Sequence, residues 1–221
     1  MSDHSTVEIL KSLESLYLEG KYPQAKELLV KNKDQFEAGL FHFNLGTLNA
    51  KIGEFAVGRY HLEKSLKKGF YNHKLLKNLD VIKTKLELPN IHSESSAWDQ
   101  SINHALDIPI NFYLTATLIL LVSTLLFIRA KIVKSLAVKI VIVMIALIPF
   151  GFSKIYLEDV NHAILLKESS ILEGPSKIYP ELQKVKAGTK LIIGENIDGW
   201  FFIKYPLAYS GWVSRTDLGI L

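Results

Sequence analysis

Two long apolar runs joined by a short basic connection constrain this chain more than any other feature. Ile108 to Ile128 (IPINFYLTATLILLVSTLLFI) is 21 residues without a charged side chain. At about 1.5 Å of rise per residue, a helix of that length reaches roughly 31 Å, the thickness of a bilayer's hydrocarbon core. Pro109 would occupy its first turn, where a missing N–H costs little. Ser135 to Phe152 (SLAVKIVIVMIALIPFGF) is a second run, interrupted only by Lys139. That lysine lies one turn in, close enough to the connection to reach back to the headgroups. Arg129, Lys131 and Lys134 sit between the runs. The pattern predicts a transmembrane hairpin over residues 108–157, with spans at about 108–128 and 135–156. Phe112, Tyr113, Phe150, Phe152 and Tyr156 then gather at the end away from the basic turn, as an aromatic belt would. The alternative, two buried helices of a soluble domain, asks for apolar runs longer than soluble cores use.

Neither run carries an ionisable residue near its middle, which argues against an ion or proton pathway. The polar side chains of the first run, such as Thr117 and Thr124, are expected to bond their own backbone or a neighbouring helix. The hairpin therefore reads as an anchor. The net charge of +4 fits the same picture. Residues 1–107 carry 14 basic and 14 acidic side chains, residues 108–159 carry 5 and 2, and residues 160–221 carry 7 and 6. Most of the excess lies at the hairpin, and no basic face suited to nucleic acid is evident in either flanking part. Arg129, Lys131, Lys134 and Lys139 place the connection on the cytoplasmic side and both flanking parts outside. The first residues, MSDHSTVEILKSL, lack the basic head and apolar run of a signal peptide, so this topology leaves open how the first part crosses. With no cysteine, disulfides, zinc-thiolate sites and thiol chemistry are excluded.

Residues 1–88 contain an internal repeat. Gly20 and Gly53, Tyr22 and Phe55, and Ala25 and Gly58 are each 33 residues apart; Asn44-Leu45 and Asn78-Leu79 are 34 apart. Such a period with helical patterning is the mark of stacked helix pairs. FNLGTLNAKIGEFAVGRYHLEKSLKKG (43–69) resembles the tetratricopeptide motif, with Leu45, Gly46, Gly53, Phe55, Gly58, Leu62 and Ser65 on its consensus positions. The small residues Gly46, Gly58 and Ser65 would let paired helices approach closely. The motif's closing proline is absent near Gly69-Phe70, which leaves the exit turn undefined. Lys74–Leu88 would cap the array as a last helix. His42 and Asn49 are candidates to line a groove for a peptide; the equal alternative is an array that packs only on its own membrane segment or a partner subunit.

Residues 89–107 form a linker, opened by Pro89 and loosened by serines. Trp98, Ile102, Ala105 and Leu106 recur at helical spacing, which suggests an interfacial helix entering the membrane. His92 and His104 have no companion ligands and read as solvated.

Residues 163–221 change to β-rich runs, Thr189–Ile193 and Trp200–Tyr205, separated by the turn signal Asn196-Ile197-Asp198-Gly199. Ser210-Gly211 turns the chain again before Trp212-Val213, and strands this short suggest a small barrel. Residues 173–218 resemble a bacterial Src-homology-3 (SH3-like) domain through Gly174-Pro175-Ser176, Ala187-Gly188-Thr189, Asp198-Gly199-Trp200 and Gly211-Trp212-Val213. Tyr209 and Trp212, with Trp200 and Tyr205, are candidates to contact an extended peptide or a wall peptide. The commoner use of such tryptophans is core and turn packing.

No phosphate loop, nucleophile elbow, His-Glu-x-x-His or dinucleotide fingerprint occurs, and no catalytic residue, metal site or cofactor is expected. The fold class is thus a multidomain membrane protein: an all-α tetratricopeptide array, a two-helix hairpin and a small all-β SH3-like barrel. That order of parts resembles the BatE-type proteins of the bacterial aerotolerance (Bat) operon. The resemblance implies a non-enzymatic role; with the charge bias of the connection, the expected location is the bacterial inner membrane with both soluble domains periplasmic. It also implies neighbours among membrane-anchored von Willebrand A-domain proteins and a MoxR-type AAA+ ATPase. Three function classes follow: a membrane-anchored scaffold, which the sequence favours; an envelope sensor whose SH3-like domain binds peptidoglycan or a peptide; and an enzyme, which would need a convergent set of titratable groups.

Overall fold

A computed structural model describes residues 3–88, 101, 105, 108, 110–132, 134–158 and 161–221. Most of the linker lies outside the described residues, including His92, Trp98, His104 and the expected interfacial helix; Pro109 does too. The chain divides into two compact units, Met1–Ser95 with His162–Leu221, and Ser96–Asn161.

In the first unit, α1 (Asp3–Leu18), α2 (Tyr22–Lys31), α3 (Ala38–Lys51), α4 (Phe55–Lys67) and α5 (His73–Leu86) follow one another through short turns. The glycines of the 33-residue repeat explain the turns. Gly20 and Gly53 have φ of +73° and +86°, a conformation glycine takes without steric cost. Each stands just past a helix end and donates to the carbonyl three residues back: Gly20 N to Tyr17 O at 3.1 Å, Gly53 N to Ala50 O at 3.2 Å. The next amide reaches five back, Lys21 N to Leu16 O and Glu54 N to Asn49 O, both at 2.9 Å. This paired closure satisfies carbonyls that a helix C-terminus leaves open. Gly69 and Phe70 make the same closure after α4, so a glycine serves as the exit turn that lacks the motif's proline.

Helices α3 and α4 touch through backbone. A Cβ at Gly46 would lie 2.8 Å from Leu62 Cγ and 2.9 Å from Gly58 O. Ser65 Oγ donates to Gly39 O at 2.7 Å across the same seam. Leu62, Leu75, Leu79 and Ile82 join α4 to α5 in a fully buried cluster against which Phe55 packs. Ala25, Leu29, Phe41, Leu45 and Leu48 fill the space between the earlier helices.

The same unit holds seven strands: β1 (Asn161–Leu165), β2 (Ser169–Leu172), β3 (Glu181–Val185), β4 (Lys190–Ile197), β5 (Trp200–Tyr205), β6 (Gly211–Ser214) and β7 (Leu218–Ile220). They form one antiparallel sheet in the order β3-β2-β6-β5-β4-β1-β7. β4 and β5 meet at Ile197 opposite Trp200, so Asp198 and Gly199 make a two-residue hairpin. Both have positive φ, 47° and 80°, as the hairpin turn that matches strand twist requires. Period-2 alternation sends Phe201 and Ile203 into the core with Leu191, Ile193 and Val213.

Sequence reasoning separates residues 1–88 from residues 163–221; the structure joins them. The guanidinium of Arg59 on α4 donates to Gly188 O at 3.0 Å. Glu63, one turn on, pairs with Arg59 at 3.2 Å and with Lys190 of β4 at 2.9 Å. A Cβ at Gly188 would collide with Leu86, and one at Gly219 with Tyr60. Burial of one helix face against the sheet brings the two segments into one compact unit.

The second unit is a pair of apolar helices, α6 (Ile110–Arg129) and α7 (Leu136–Phe152), the latter extended by a π-helical turn over Ser153–Glu158. Both are long and apolar enough to cross a membrane, with mean hydropathies of 2.0 and 2.4. Their seam buries Thr117, Thr124 and Ala146, whereas Leu118, Leu125, Met144 and Ile148 stay exposed. Thr117 Oγ1 donates to Tyr113 O at 2.8 Å, so its hydroxyl is satisfied by its own helix. At the end away from the connection, the rings of Tyr113 and Phe152 lie 5.2 Å apart.

Candidate functional site

Helices α1, α3 and α5 line a groove of about 530 Å³. Its residues follow helical spacing on each wall. α1 contributes Leu10, Leu13, Glu14 and Tyr17; α3 contributes Phe43, Asn44, Thr47 and Leu48; α5 contributes Lys74, Lys77 and Asn78. Ala25 and Leu29 of α2 close the floor. The α1 wall and floor are apolar apart from Glu14; the α5 wall is cationic and amide-bearing.

Hydrogen bonds set the polar wall. Asn78 Nδ2 donates to Thr47 Oγ1 at 3.0 Å, and Thr47 Oγ1 donates to Phe43 O at 2.9 Å. Thr47 is thereby fixed between α3 and α5. Asn44 makes no side-chain hydrogen bond, and Lys74 and Lys77 make no ion pair, among the described residues. Three polar groups therefore face the groove with bonding capacity to spare.

The groove is not where the first candidates lie. Asn49 is fully buried, and its Nδ2 donates to Leu45 O at 2.8 Å, so it packs within the helices and is not among the residues that line this groove. His42 turns toward α4, where its Nδ1 lies 3.0 Å from His61 Nδ1 and the rings stack at 5.2 Å. Burial, with Lys64 and Lys33 nearby, lowers the His42 pKa to about 4. Burial, with His42 and Lys64 nearby, takes His61 to about 3. The pair is neutral, and one ring donates to the other. No cluster of three histidine, aspartate or glutamate side chains suited to a metal occurs among the described residues. Asn44 and Asn78 carry the signal that could have located the groove: they share the 34-residue repeat. His42 lies two residues, about 200° of helix rotation, away from Asn44.

On the sheet, Trp212 is half-buried and stands opposite Phe202, ring centroids 5.5 Å apart. Trp200 and Phe202 occupy alternate positions to the core residues Phe201 and Ile203 and face outward with it. Tyr209, in the 3₁₀ turn Leu207–Tyr209, packs against the core edge. Gly211, with φ of 150°, passes so close to Ile171 and Leu172 that a Cβ would collide. In the connection between α6 and α7, Lys131 takes a left-handed conformation with φ of 55°; Arg129 and Lys134 are exposed and Lys139 is half-buried.

Glu63 and His162 are the buried titratable groups between helices and sheet. Burial alone would raise Glu63; Lys190 and Arg59 outweigh it and hold the carboxyl at about 2. Burial, with Lys190 and Lys67 nearby, lowers His162 to about 4.

No protein-family model matches the chain, and neither a curated protein nor a solved structure is significantly similar to it.

Proposed function

We propose that this chain is a membrane-anchored, non-enzymatic scaffold that holds a partner protein beside a bacterial envelope membrane. The groove of about 530 Å³ between α1, α3 and α5 carries the reading. It joins an apolar floor to unpaired polar groups, the composition of a binding cleft. We read its three helices as the inner helices of a tetratricopeptide-like stack, and stacked repeats commonly bind on such a face. The sheet is read as the SH3-like barrel. Because the segments on either side of Ser96–Asn161 fold into one unit, the stretch between them would cross a bilayer an even number of times, in keeping with two spans. The basic connection puts that unit outside the cytoplasm, in the periplasm. The module order still resembles the BatE-type proteins, with von Willebrand A-domain proteins and a MoxR-type ATPase as neighbours.

The outward row of Trp200, Phe202 and Trp212 favours one second reading, an envelope sensor that binds peptidoglycan or an extended peptide on the sheet. Retention of the full chain on purified wall separates the two. A scaffold passes through and recovers the same envelope protein from detergent-solubilised membranes; a sensor is retained, and Trp212→Ala releases it.

A further inference from the structure

We infer that the groove takes an amphipathic acidic segment of a partner protein, with its apolar side chains on α1 and the floor and its carboxylates on α5. The inference rests on the scaffold reading and names the chemistry of that same groove. Lys74 and Lys77 stand on the α5 wall with Asn78, and no described acidic group pairs with either lysine. Asn44, across from them on α3, has an amide without a described partner. Two cations and an amide on the α5 wall, with a second amide facing them from α3, suit carboxylates, which accept from both. The opposite wall presents Leu10, Leu13 and Tyr17, which suit apolar side chains at helical or alternate spacing. Glu14 is the charged residue on that wall.

This distribution fixes the direction of the ligand's charge. A segment turned about its axis would set its carboxylates against Glu14 and its apolar side chains against two lysines, so only one orientation is favourable. A basic segment meets like charge at Lys74 and Lys77. A neutral apolar segment leaves both lysines and Asn44 without partners in a closing interface. A bilayer surface is excluded by shape, because the lining groups converge in a cleft.

The test uses the full chain in nanodiscs and three labelled short peptides. One is an amphipathic peptide of leucine, alanine and glutamate; the second replaces each glutamate by lysine; the third replaces each leucine by serine. The inference predicts that the first binds at least about tenfold tighter than either other at low salt, a gap of about 1.4 kcal/mol or more. Its advantage over the lysine peptide should shrink as salt rises. The double variant Lys74→Glu/Lys77→Glu should reverse the preference, and Asn78→Ala should weaken the first peptide alone. Equal binding of the glutamate and lysine peptides, or binding unchanged in the double variant, overturns the acidic ligand. So does self-association of the chain that the double variant abolishes, since the occupant would then be a second copy. A photo-crosslinker at Thr47 that captures a discrete envelope protein while all three peptides fail would overturn this chemistry and leave the scaffold standing. Failure of both would remove the scaffold as well.

Discussion

Glu63 of α4 and Lys190 of β4 form an ion pair of 2.9 Å between residues 127 positions apart, with both side chains largely buried. Arg59 holds the other Glu63 oxygen at 3.2 Å and ties the trio to the Gly188 carbonyl. A carboxylate withdrawn from water is stable only with such partners. The helices and the sheet therefore depend on one another.

That dependence sets the first prediction. Lys190→Met removes one of the two cations bonded to Glu63 and should cost about 3 kcal/mol, the low end of the range for breaking a buried pair. Denaturant unfolding of the full chain should show one cooperative transition for helices and sheet, moved to lower denaturant in the variant. Two transitions, or an unmoved midpoint, would refute the shared interface. Deleting residues 163–221 would expose Arg59 and Glu63, so point variants are the cleaner tool for locating binding surfaces.

Gly46 offers a second test. The missing Cβ would sit under 3 Å from both Leu62 and Gly58 O, and the latter is backbone that cannot swing away. Gly46→Ala should destabilise the array by about 1–3 kcal/mol despite the gain in helix propensity, and Gly46→Leu by more. Gly20→Ala disturbs no contact but strains a positive φ, a smaller loss. Melting curves that rank Gly20→Ala below Gly46→Leu in stability would contradict the α3–α4 geometry.

The histidines predict a pH dependence. Burial lowers the pKa of His61 to about 3 and of His162 to about 4, below the ordinary 6.5 that an unfolded chain restores. Between those values the unfolded chain binds more protons, so stability is complete above about pH 6.5 and falls as pH drops toward 4. The melting temperature should decline from pH 7 to pH 5, and His61→Phe with His162→Phe should flatten the slope. Glu63 adds a further loss only at more acid pH, between about 4.5 and 2. A melting temperature that rises on acidification would contradict both assignments.

Topology can be read directly because the chain has no cysteine of its own. A cysteine at Ser135, beside the basic connection, should react with a membrane-impermeant maleimide only after the membrane is opened. Cysteines at Ser12 and Ser176 should react in intact spheroplasts. Reaction of the last two on opposite sides would break the two-span account.

Local features were the most legible in the sequence. The spans stood out because an apolar run of that length has few other uses. Gly20 and Gly53 marked the repeat because a helix end with positive φ selects glycine wherever it recurs. Asp198-Gly199 announced its hairpin for the same reason. The groove was harder. α3 is buried on several sides, at Phe41, Leu45, Gly46, Leu48 and Asn49, so its pattern does not tell which face meets α4 and which stays open. His42 accordingly meets His61 of α4, and Asn49 packs among the helices, both away from this groove. The junction of helices and sheet has no local signal, since nothing in the sequence marks Arg59, Glu63 and Lys190 as partners before the fold brings them together.

The central claim is that the groove between α1, α3 and α5 holds a partner protein at the membrane. A photo-crosslinking residue at Thr47, with a control at exposed Glu195 on β4, tests it in intact membranes. The account predicts one discrete crosslinked envelope protein from Thr47, absent from Glu195 and lost in Lys74→Glu/Lys77→Glu. No crosslink at Thr47, or the same products from both positions, would contradict it.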